Sequence, residues 1–372
     1  MENYSPISGG AIAVIIKETA TELISRGHQV SVLTRPCGDE LYDVGRIIPI
    51  SAPDRGSLSL PQRLVCKLQR TISNWDYPYY GPYIGSVLKQ LRSIKPNPER
   101  IIIFNDLFSP KLIHKSLKEP QILVWLQNEQ KTNQPELAQT LQATHKFLTC
   151  SQYIKDWASN NLSIQPEQIV VAPSGVNGSE FFPAAERPSM PGQIRCLCVG
   201  RIDPNKGQDL AVDAVRQLQS EGIDVSLTIA GDVWFYKTVG DPREQYKQQL
   251  VEQTKTIKNA QLLGHVPHHE LPAIYRQHDV VFVLSRSNEP FGLVALEAMA
   301  SGCAVISSNR GGLPEACGDA AMLVNPDDPQ AIVSSLRKLC TDPATMQLYR
   351  SASISHAAQS TWLRAASCVE HC

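Results

Sequence analysis

The chain has 372 residues, and this length favours two domains over one. Its 42% hydrophobic and 19% charged residues exclude an intrinsically disordered protein, and a net charge of −1 gives no reason to expect nucleic-acid binding. No segment approaches the roughly 20 apolar residues of a membrane span, and no secretory signal opens the chain, so we expect a cytoplasmic protein.

The N-terminal half alternates helical and strand-like patterns. A helical pattern over residues 11–26 precedes a strand-like run over residues 28–34. Unbroken runs of Ile, Val and Leu then predict buried parallel strands, which lie at residues 100–105, 121–127, 146–151 and 168–175. A domain of this kind normally opens with a central strand, and none precedes the loop "SPISGG" at residues 5–10. We therefore expect the first strand of the N-terminal domain to be missing.

A stretch rich in proline, "PAAERPSMPGQ", follows these elements and predicts a linker over residues 181–193. Strand and helix patterns alternate again beyond it, so residues 1–180 and residues 194–355 are predicted to be separate domains. Alternation of this kind predicts an α/β protein with two doubly wound, Rossmann-like domains that face each other across a cleft.

The most informative motif is "NEPFGLVALEAMASG", which runs from Asn288 to Gly302. Pro290 and Gly292 keep the helix from starting before about Phe291, so Glu289 is predicted to lie in the turn after a strand. That turn belongs to the carboxyl edge of the sheet, where α/β proteins bind ligands. The first amides of the helix, from Gly292 onward, then favour an anionic oxygen such as a phosphate.

Glu297 lies inside this apolar helix and would need a polar partner, for which the two hydroxyls of a ribose would serve. An alternative stays open, in which both glutamates are structural. Glu289 would then stabilise the helix dipole without binding a ligand, and Glu297 would lie on an exposed face of the helix.

A second motif, "VGRIDPNKGQDL", follows a predicted strand that ends at Gly200. Arg201 and Lys206 lie five residues apart in its loop and could hold a diphosphate, Arg201 as a bidentate donor and Lys206 as a point charge. The alternative is an ordinary basic loop. Gly9 and Gly10 open the first helix and give a weaker signal of the same kind.

Several absences in the sequence also limit the function. There is no Asp-x-Asp pair to hold a divalent ion, no P-loop and no Gly-x-Gly-x-x-Gly fingerprint, which argues against P-loop enzymes and dehydrogenases. The histidines of "GHVPHHE" are explained by a strand end and a helix start, so no zinc site is expected. An amphipathic pattern over residues 60–75 would suit either a membrane surface or a solvated helix.

These motifs resemble those of the retaining family-4 glycosyltransferases of the GT-B fold, from Ser5 to about Glu370. The resemblance rests on "SPISGG", "VVAPSGVN", "VGRIDPNKG", "TIAGD", "GHV", "EPFGLVALEAMASG" and "NRGGLPE". Within that family, "GDVWFYKTVGDPREQYKQQL" is similar to bacterial lipopolysaccharide-core N-acetylglucosaminyltransferases. The resemblance also implies that residues 356–372 form a helix that returns to the N-terminal domain.

The resemblance implies a hexosyltransferase that moves GlcNAc or glucose from a UDP-linked donor to a glycan or lipid-linked glycan, with retention and without a metal or cofactor. A peripheral contact with the inner membrane face is compatible with such an acceptor. The implied catalytic residues are Glu289, Arg201 and Lys206. The implied donor-binding residues are Gly9, Gly10, Gly200, His265, Val266, Phe291, Gly292, Leu293, Glu297, Gly311, Gly312 and Glu315.

On the acceptor side the candidates are Asn105, Gln127 and Asn128. Relatives often carry a histidine near the positions of Gln127 and Asn128. In this chain the side chain that faces the reacting sugar would be an amide, which does not titrate. Two alternatives remain. The chain could be a catalytically silent nucleotide-sugar-binding subunit of a heteromeric transferase, or it could keep the fold and catalyse epimerisation or phosphorolysis.

Overall fold

A computed structural model describes residues 3–51, 60–61, 64, 77–132, 137–185, 192–233 and 241–372, with side chains omitted for residues 77–82. The chain divides into two compact units. Unit 1 comprises Met1–Ala172 and Ala365–Cys372, and unit 2 comprises Pro173–Arg364. Most of the amphipathic pattern at residues 60–75 lies outside the described residues.

Unit 1 alternates helices and strands, as predicted. Its elements are α1 (Ala11–Ser25), β1 (Ser31–Thr34), β2 (Arg46–Pro49), α2 (Tyr77–Ser93), β3 (Arg100–Phe104), α3 (Ser109–Ser116), β4 (Gln121–Leu126), α4 (Leu137–Ala143), β5 (Lys146–Thr149), α5 (Gln152–Leu162) and β6 (Ile169–Val171). Strands β1 and β2 pair in parallel as one sheet, and β3, β4, β5 and β6 pair in that order as a second parallel sheet.

Strand β4 forms the centre of the larger sheet in unit 1. Its residues Leu123, Val124 and Trp125 are fully buried, and neighbouring strands pair with both of its edges. This is the pattern expected where an apolar run lacks polar alternation. Strand β4 therefore fixes the position of the residues that follow it, from Gln127 onward.

Unit 2 contains a six-stranded parallel sheet in the order β12-β11-β10-β7-β8-β9. Its elements are β7 (Ile194–Val199), α6 (Gln208–Ser220), β8 (Val225–Ala230), α7 (Pro242–Thr254), β9 (Ala260–Gly264), α8 (Leu271–Arg276), β10 (Val280–Val283), α9 (Leu293–Ala300), β11 (Ala304–Ser308), α10 (Leu313–Cys317), β12 (Ala321–Val324), α11 (Pro329–Thr341) and α12 (Pro343–Gln359). The two units confirm the prediction of two Rossmann-like α/β domains with parallel sheets.

The strand order of unit 2 reverses between β7 and β10, which are hydrogen-bonded neighbours. The chain runs outward from β7 through β8 to β9, then crosses back to β10 and continues to β12. Ligands of doubly wound proteins bind beyond the carboxyl ends of the strands at such a reversal. The loops that follow β7 and β10 therefore define the place to search for a functional site.

The last helix, α13 (Trp362–His371), ends in unit 1. The Arg100 guanidinium donates to the main-chain oxygens of Val369 and Glu370 at 2.9 and 2.7 Å, and Arg26 forms an ion pair with Glu370. A cation at these free carbonyl groups also offsets the negative end of the helix dipole.

Two strands of the structure, β2 and β12, were not predicted from the sequence. Unit 2 starts at Pro173, and the linker over residues 181–193 stays a prediction. Among the described residues, no helix has the length and apolar character needed to cross a membrane.

Candidate functional site

The loops after β7 and β10 bring two opposite charges together. The Lys206 ammonium forms an ion pair with the Glu289 carboxylate, and the Ser285 hydroxyl donates to the same carboxylate at 2.5 Å. Burial by itself raises the pKa of Glu289, but the charge and hydrogen bond of Lys206, the Ser285 bond and the charge of Arg201 outweigh it. The pKa of Glu289 is therefore lowered, and the carboxyl is ionised at neutral pH.

Two glycines permit this approach of the loops. Gly207 has a φ of 67°, and a Cβ there would lie 2.2 Å from the carbonyl oxygen of Leu284, at the end of β10. Gly311 has a φ of 59°, and a Cβ there would lie 2.2 Å from the carbonyl oxygen of Glu289. The Gly312 amide donates to that same oxygen at 2.6 Å. A larger residue at 207 would push the Lys206 loop away from the end of β10, and a larger residue at 311 would push the loop after β11 away from Glu289.

Helix α9 begins directly after the Glu289 turn. Its N-cap, Gly292, has a φ of 127°, and no side chain provides a cap to the helix among the residues that the structure describes. The first-turn amides of Leu293 and Val294 have no carbonyl partner one turn earlier in their own helix, as at any helix start. These amides and the positive end of the helix dipole provide a place for phosphate oxygens beside Glu289.

Glu297 is held by two side chains of its own unit. His268 Nε2 lies 2.8 Å from one carboxylate oxygen, and the Tyr275 hydroxyl donates to the other at 3.0 Å. Glu297 is only 5% exposed. The pKa of Tyr275 is raised well above its ordinary value, mainly by the burial of its hydroxyl and secondly by the negative charge of Glu297. The polar partners that the buried Glu297 requires are thus supplied by the protein itself.

The role of His268 was missed by sequence reasoning, which explained the histidines of residues 264–270 by local structure alone. The ring of Phe181 packs against His268 with the centroids 5.5 Å apart. The signal available in the sequence was an apolar helix with an internal carboxylate, which requires a donor from elsewhere in the fold.

The carboxyl edge of the larger sheet in unit 1 carries the three amide candidates, next to the carboxylates of Asp106 and Glu129. Asn105 follows β3 with a φ of 52°, and its side-chain oxygen accepts from the main-chain N–H of Gln127 at 2.6 Å. The side chain of Gln127 is buried, and its Nε2 has no hydrogen-bond partner within the described part of the chain. Asn128 follows it and is exposed. The three acceptor-side candidates therefore lie at one sheet edge.

The remaining candidates are distributed over both units. Gly9 and Gly10 precede α1 in unit 1. In unit 2, Gly200 follows β7, His265 and Val266 follow β9, the buried Phe291 precedes α9, and Glu315 is exposed in α10. Across the part of the chain that the structure describes, no three His, Cys, Asp or Glu residues form a group suited to a metal ion.

Comparison with protein families places two domains on the chain. Residues 9–180 match the family described as Glycosyltransferase Family 4, and residues 184–356 match Glycosyl transferases group 1. The second match contains the Lys206–Glu289 pair and the Glu297 helix. The first contains both glycines before α1 and the amide edge of unit 1.

The chain is similar in sequence to several glycosyltransferases. It is 30% identical to glycogen synthase from Mycobacterium tuberculosis (strain H37Rv) over 203 residues, which cover 54% of this chain and 47% of that enzyme. The chain thus spans about half the length of that relative. It is 26% identical over 404 residues to D-inositol 3-phosphate glycosyltransferase from Corynebacterium glutamicum, covering 95% and 88% of the two chains. Mannosylfructose-phosphate synthase from Agrobacterium fabrum is 25% identical over 377 residues, with 89% and 78% covered.

Solved structures share the fold. A sucrose-phosphate synthase from Thermosynechococcus elongatus aligns with a TM-score of 0.77 at 20% identity, covering 100% of this chain and 96% of that one. Anabaena HepE in complex with UDP and glucose aligns with a TM-score of 0.72 at 16% identity, covering 100% and 97%. The glycosyltransferase WaaG, involved in lipopolysaccharide biosynthesis, gives 0.70 at 15% identity, with 99% and 97% covered.

Proposed function

We infer that this chain, which carries a glycosyltransferase family 4 domain followed by a group 1 domain, transfers a hexosyl unit from a UDP-linked sugar to an acceptor hydroxyl with retention at the anomeric carbon. The observation that carries this proposal is the ionised Lys206–Glu289 pair beside the start of α9, at the strand-order reversal of unit 2. Its charges and amides match a sugar linked to a diphosphate.

Each part of this site has a role in donor binding. The first amides of α9, with Arg201 and Lys206, would bind the two phosphates. Glu289 would accept hydrogen bonds from hydroxyl groups of the transferred sugar, and Glu297 would accept hydrogen bonds from those of the ribose. The structure of HepE with UDP-glucose supports the choice of donor, because that protein shares the fold of this chain. GlcNAc and glucose are the sugars that we propose.

The chemistry would depend mainly on electrostatic stabilisation. Negative charge grows on the diphosphate as the bond to the anomeric carbon breaks, and fixed positive groups stabilise it most at that stage. Lys206 is suited to this role because Glu289 and the loop geometry hold it before the donor arrives. The leaving phosphate would take the proton of the acceptor hydroxyl, so that no protein base is required.

Because Arg201 and Lys206 supply positive charge, we propose that transfer requires no divalent ion. Chelation by EDTA should then leave turnover unchanged. A loss of activity in EDTA that returns with added Mg²⁺ or Mn²⁺ would contradict this part of the proposal.

We propose that unit 1 recognises the acceptor at the sheet edge that carries Asn105, Gln127 and Asn128, whose side-chain amides are chemically suited to sugar hydroxyls. We propose a glycan or lipid-linked glycan as the acceptor, with peripheral contact at the inner membrane face if the acceptor is a lipid. Several relatives have names that specify phosphorylated acceptors or products, so phosphorylated sugars belong in any acceptor panel.

The direct test is thermal stabilisation by UDP-, GDP- and ADP-linked hexoses, followed by transfer to an acceptor panel and NMR assignment of the product anomer. A saturating donor at about 100 times its Kd should stabilise the folded state by about 2.7 kcal/mol. Failure of all these nucleotide sugars to raise the Tm would overturn the proposal. Binding without transfer would indicate a silent subunit, and an inverted product would exclude retention.

A further inference from the structure

A second ion pair lies behind the Lys206–Glu289 pair. Arg286, three residues before Glu289, binds the carboxylate of Asp209 with two parallel hydrogen bonds, each 2.7 Å long. Asp209 is in the first turn of α6, directly after the loop that carries Arg201 and Lys206. This bidentate geometry fixes the orientation of the guanidinium as well as its distance from Asp209, since Nη1, Nη2 and both carboxylate oxygens take part.

Arg286 also binds the main chain of that loop. Its Nη1 donates to the carbonyl oxygen of Pro204 at 2.9 Å, and its own amide donates to the carbonyl oxygen of Asn205 at 2.8 Å. These two oxygens belong to the residues directly before Lys206. One residue of the Glu289 loop thus contacts the Lys206 loop at two points and the first turn of α6 at a third.

The other side of the loop is held by α6 and α7. Gln208 is buried and its Nε2 donates to the carbonyl oxygen of Arg201 at 2.7 Å, while the Tyr246 hydroxyl donates to Asp209 at 2.8 Å. Burial by itself raises the pKa of Asp209, but its hydrogen bonds from Arg286 and Tyr246 lower it overall. Asp209 therefore remains ionised at neutral pH and keeps its hold on Arg286.

We propose that Arg286 and Asp209 are positioning residues that fix the loop of Arg201 and Lys206 against the Glu289 turn, and so set the place of the Lys206 ammonium at the diphosphate. This inference rests on the proposed function. Neither residue needs to touch the donor: Arg286 acts through the main chain of Pro204 and Asn205, and Asp209 acts through Arg286.

The chain contains a matched control at the other end of α6. There Arg337 donates two hydrogen bonds to the Glu221 carboxylate, at 2.9 and 2.7 Å. Glu221 is the C-cap residue of α6, and both side chains of this pair are about one third exposed. Arg337→Met therefore removes an equivalent bidentate pair from the same helix without touching either loop of the site.

The first experiment measures hydrogen exchange of the amides in residues 201–206, which needs no knowledge of donor or acceptor. Arg286→Met should accelerate exchange there, and Arg337→Met should leave it at the wild-type rate. Equal exchange in wild type and Arg286→Met would overturn the proposal, whether or not the chain proves to be a transferase.

The second experiment is a double-mutant cycle with Lys206→Ala, read as kcat for transfer. Displacing a catalytic group by about 1 Å can cost up to about 100-fold, so Arg286→Met alone should lower kcat by about 10- to 100-fold. In the Lys206→Ala background the same change should have a much smaller further effect, because Lys206 is gone and only Arg201 remains in that loop to be displaced.

Additive effects of Arg286→Met and Lys206→Ala would show a general structural role and overturn the proposal. Arg286→Lys provides a further check: it retains the charge but not the fork, and should recover only part of the wild-type kcat. Absence of transfer by the wild-type chain would instead count against the proposed function, and the exchange measurement would still decide the role of Arg286.

Discussion

The residues that follow the parallel strands differ chemically between the two units. In unit 2, Lys206 and Glu289 form an ion pair beside the first amides of α9. In unit 1, the acceptor-side candidates Asn105 and Gln127 follow neighbouring strands of the larger sheet and have neutral side-chain amides, which do not titrate. A fixed set of charges can stabilise charge that develops on a ligand, whereas neutral amides orient hydroxyl groups. The charged edge should therefore respond to substitution and to pH far more than the amide edge.

The largest effect is expected from Lys206→Ala. Loss of one donor to the developing charge should lower kcat by roughly 10²–10³-fold, because that donor acts most strongly in the transition state. The control is Lys255→Ala, which removes an exposed lysine paired with Glu252 in the same unit and should leave kcat unchanged. Near-normal turnover by Lys206→Ala would show that the ammonium of Lys206 does not stabilise the transition state.

The second prediction concerns stability and pH. The pKa of Glu289 lies below its ordinary value in the folded wild type, so its contribution to stability is present above about pH 4.3 and is lost as pH falls through the folded pKa. In Lys206→Met the burial of Glu289 should dominate and raise that pKa. The unfolding free energy should then fall by about 1–3 kcal/mol at pH 7, since an ionised group is left buried without its partner.

Urea unfolding between pH 7 and pH 4.5 tests the sign. The deficit of Lys206→Met should shrink as the pH falls, because protonation of Glu289 relieves the unpaired charge. When both proteins carry Glu289→Gln, the difference in unfolding free energy caused by Lys206→Met should be independent of pH. A deficit that grows on acidification would show that Glu289 is not the group responsible.

A smaller effect is expected from His268→Ala. Removing one of the two side chains that hold Glu297 should raise the donor KM by several-fold, in line with the roughly 0.5–1.5 kcal/mol of a hydrogen bond, and should change kcat little. Steady-state kinetics and calorimetry with UDP would measure both quantities. The adjacent His269 is exposed, so His269→Ala is the matched control. Equal KM values for the two variants would exclude a role for His268 at the donor.

The smallest change in stability is expected at the amide edge. Gln127→Met removes a buried amide nitrogen that lacks a partner within the described residues, so the unfolding free energy should stay constant or rise by up to about 1 kcal/mol. Transfer should nevertheless weaken through a higher acceptor KM, with the same ratio to wild type at pH 6 and pH 8. An unchanged acceptor KM would remove Gln127 from acceptor recognition.

Much of the fold followed from local patterns. The apolar run of β4 predicted a buried strand, and the run of β7 predicted another, because parallel strands covered on both faces lack polar alternation. Pro290 and Gly292 predicted the late start of α9, which begins at Leu293. Strands β2 and β12 were not found in this way; in β2 only Ile47 and Ile48 form an apolar run between Arg46 and Pro49, which is too short to separate a strand from a loop.

The sequence by itself determined where strands and helices alternate, and which turns carry Arg201, Lys206, Glu289 and Glu297. Only the tertiary structure decided which of these meet: β7 lies beside β10, so Lys206 contacts a carboxylate 83 positions away, and His268 reaches Glu297 across 29 positions. Periodicity, proline and glycine determine secondary structure within a few residues, and so their effects can be recognised in the sequence. Contacts between distant loops depend on the order of strands in a sheet, which no single segment encodes.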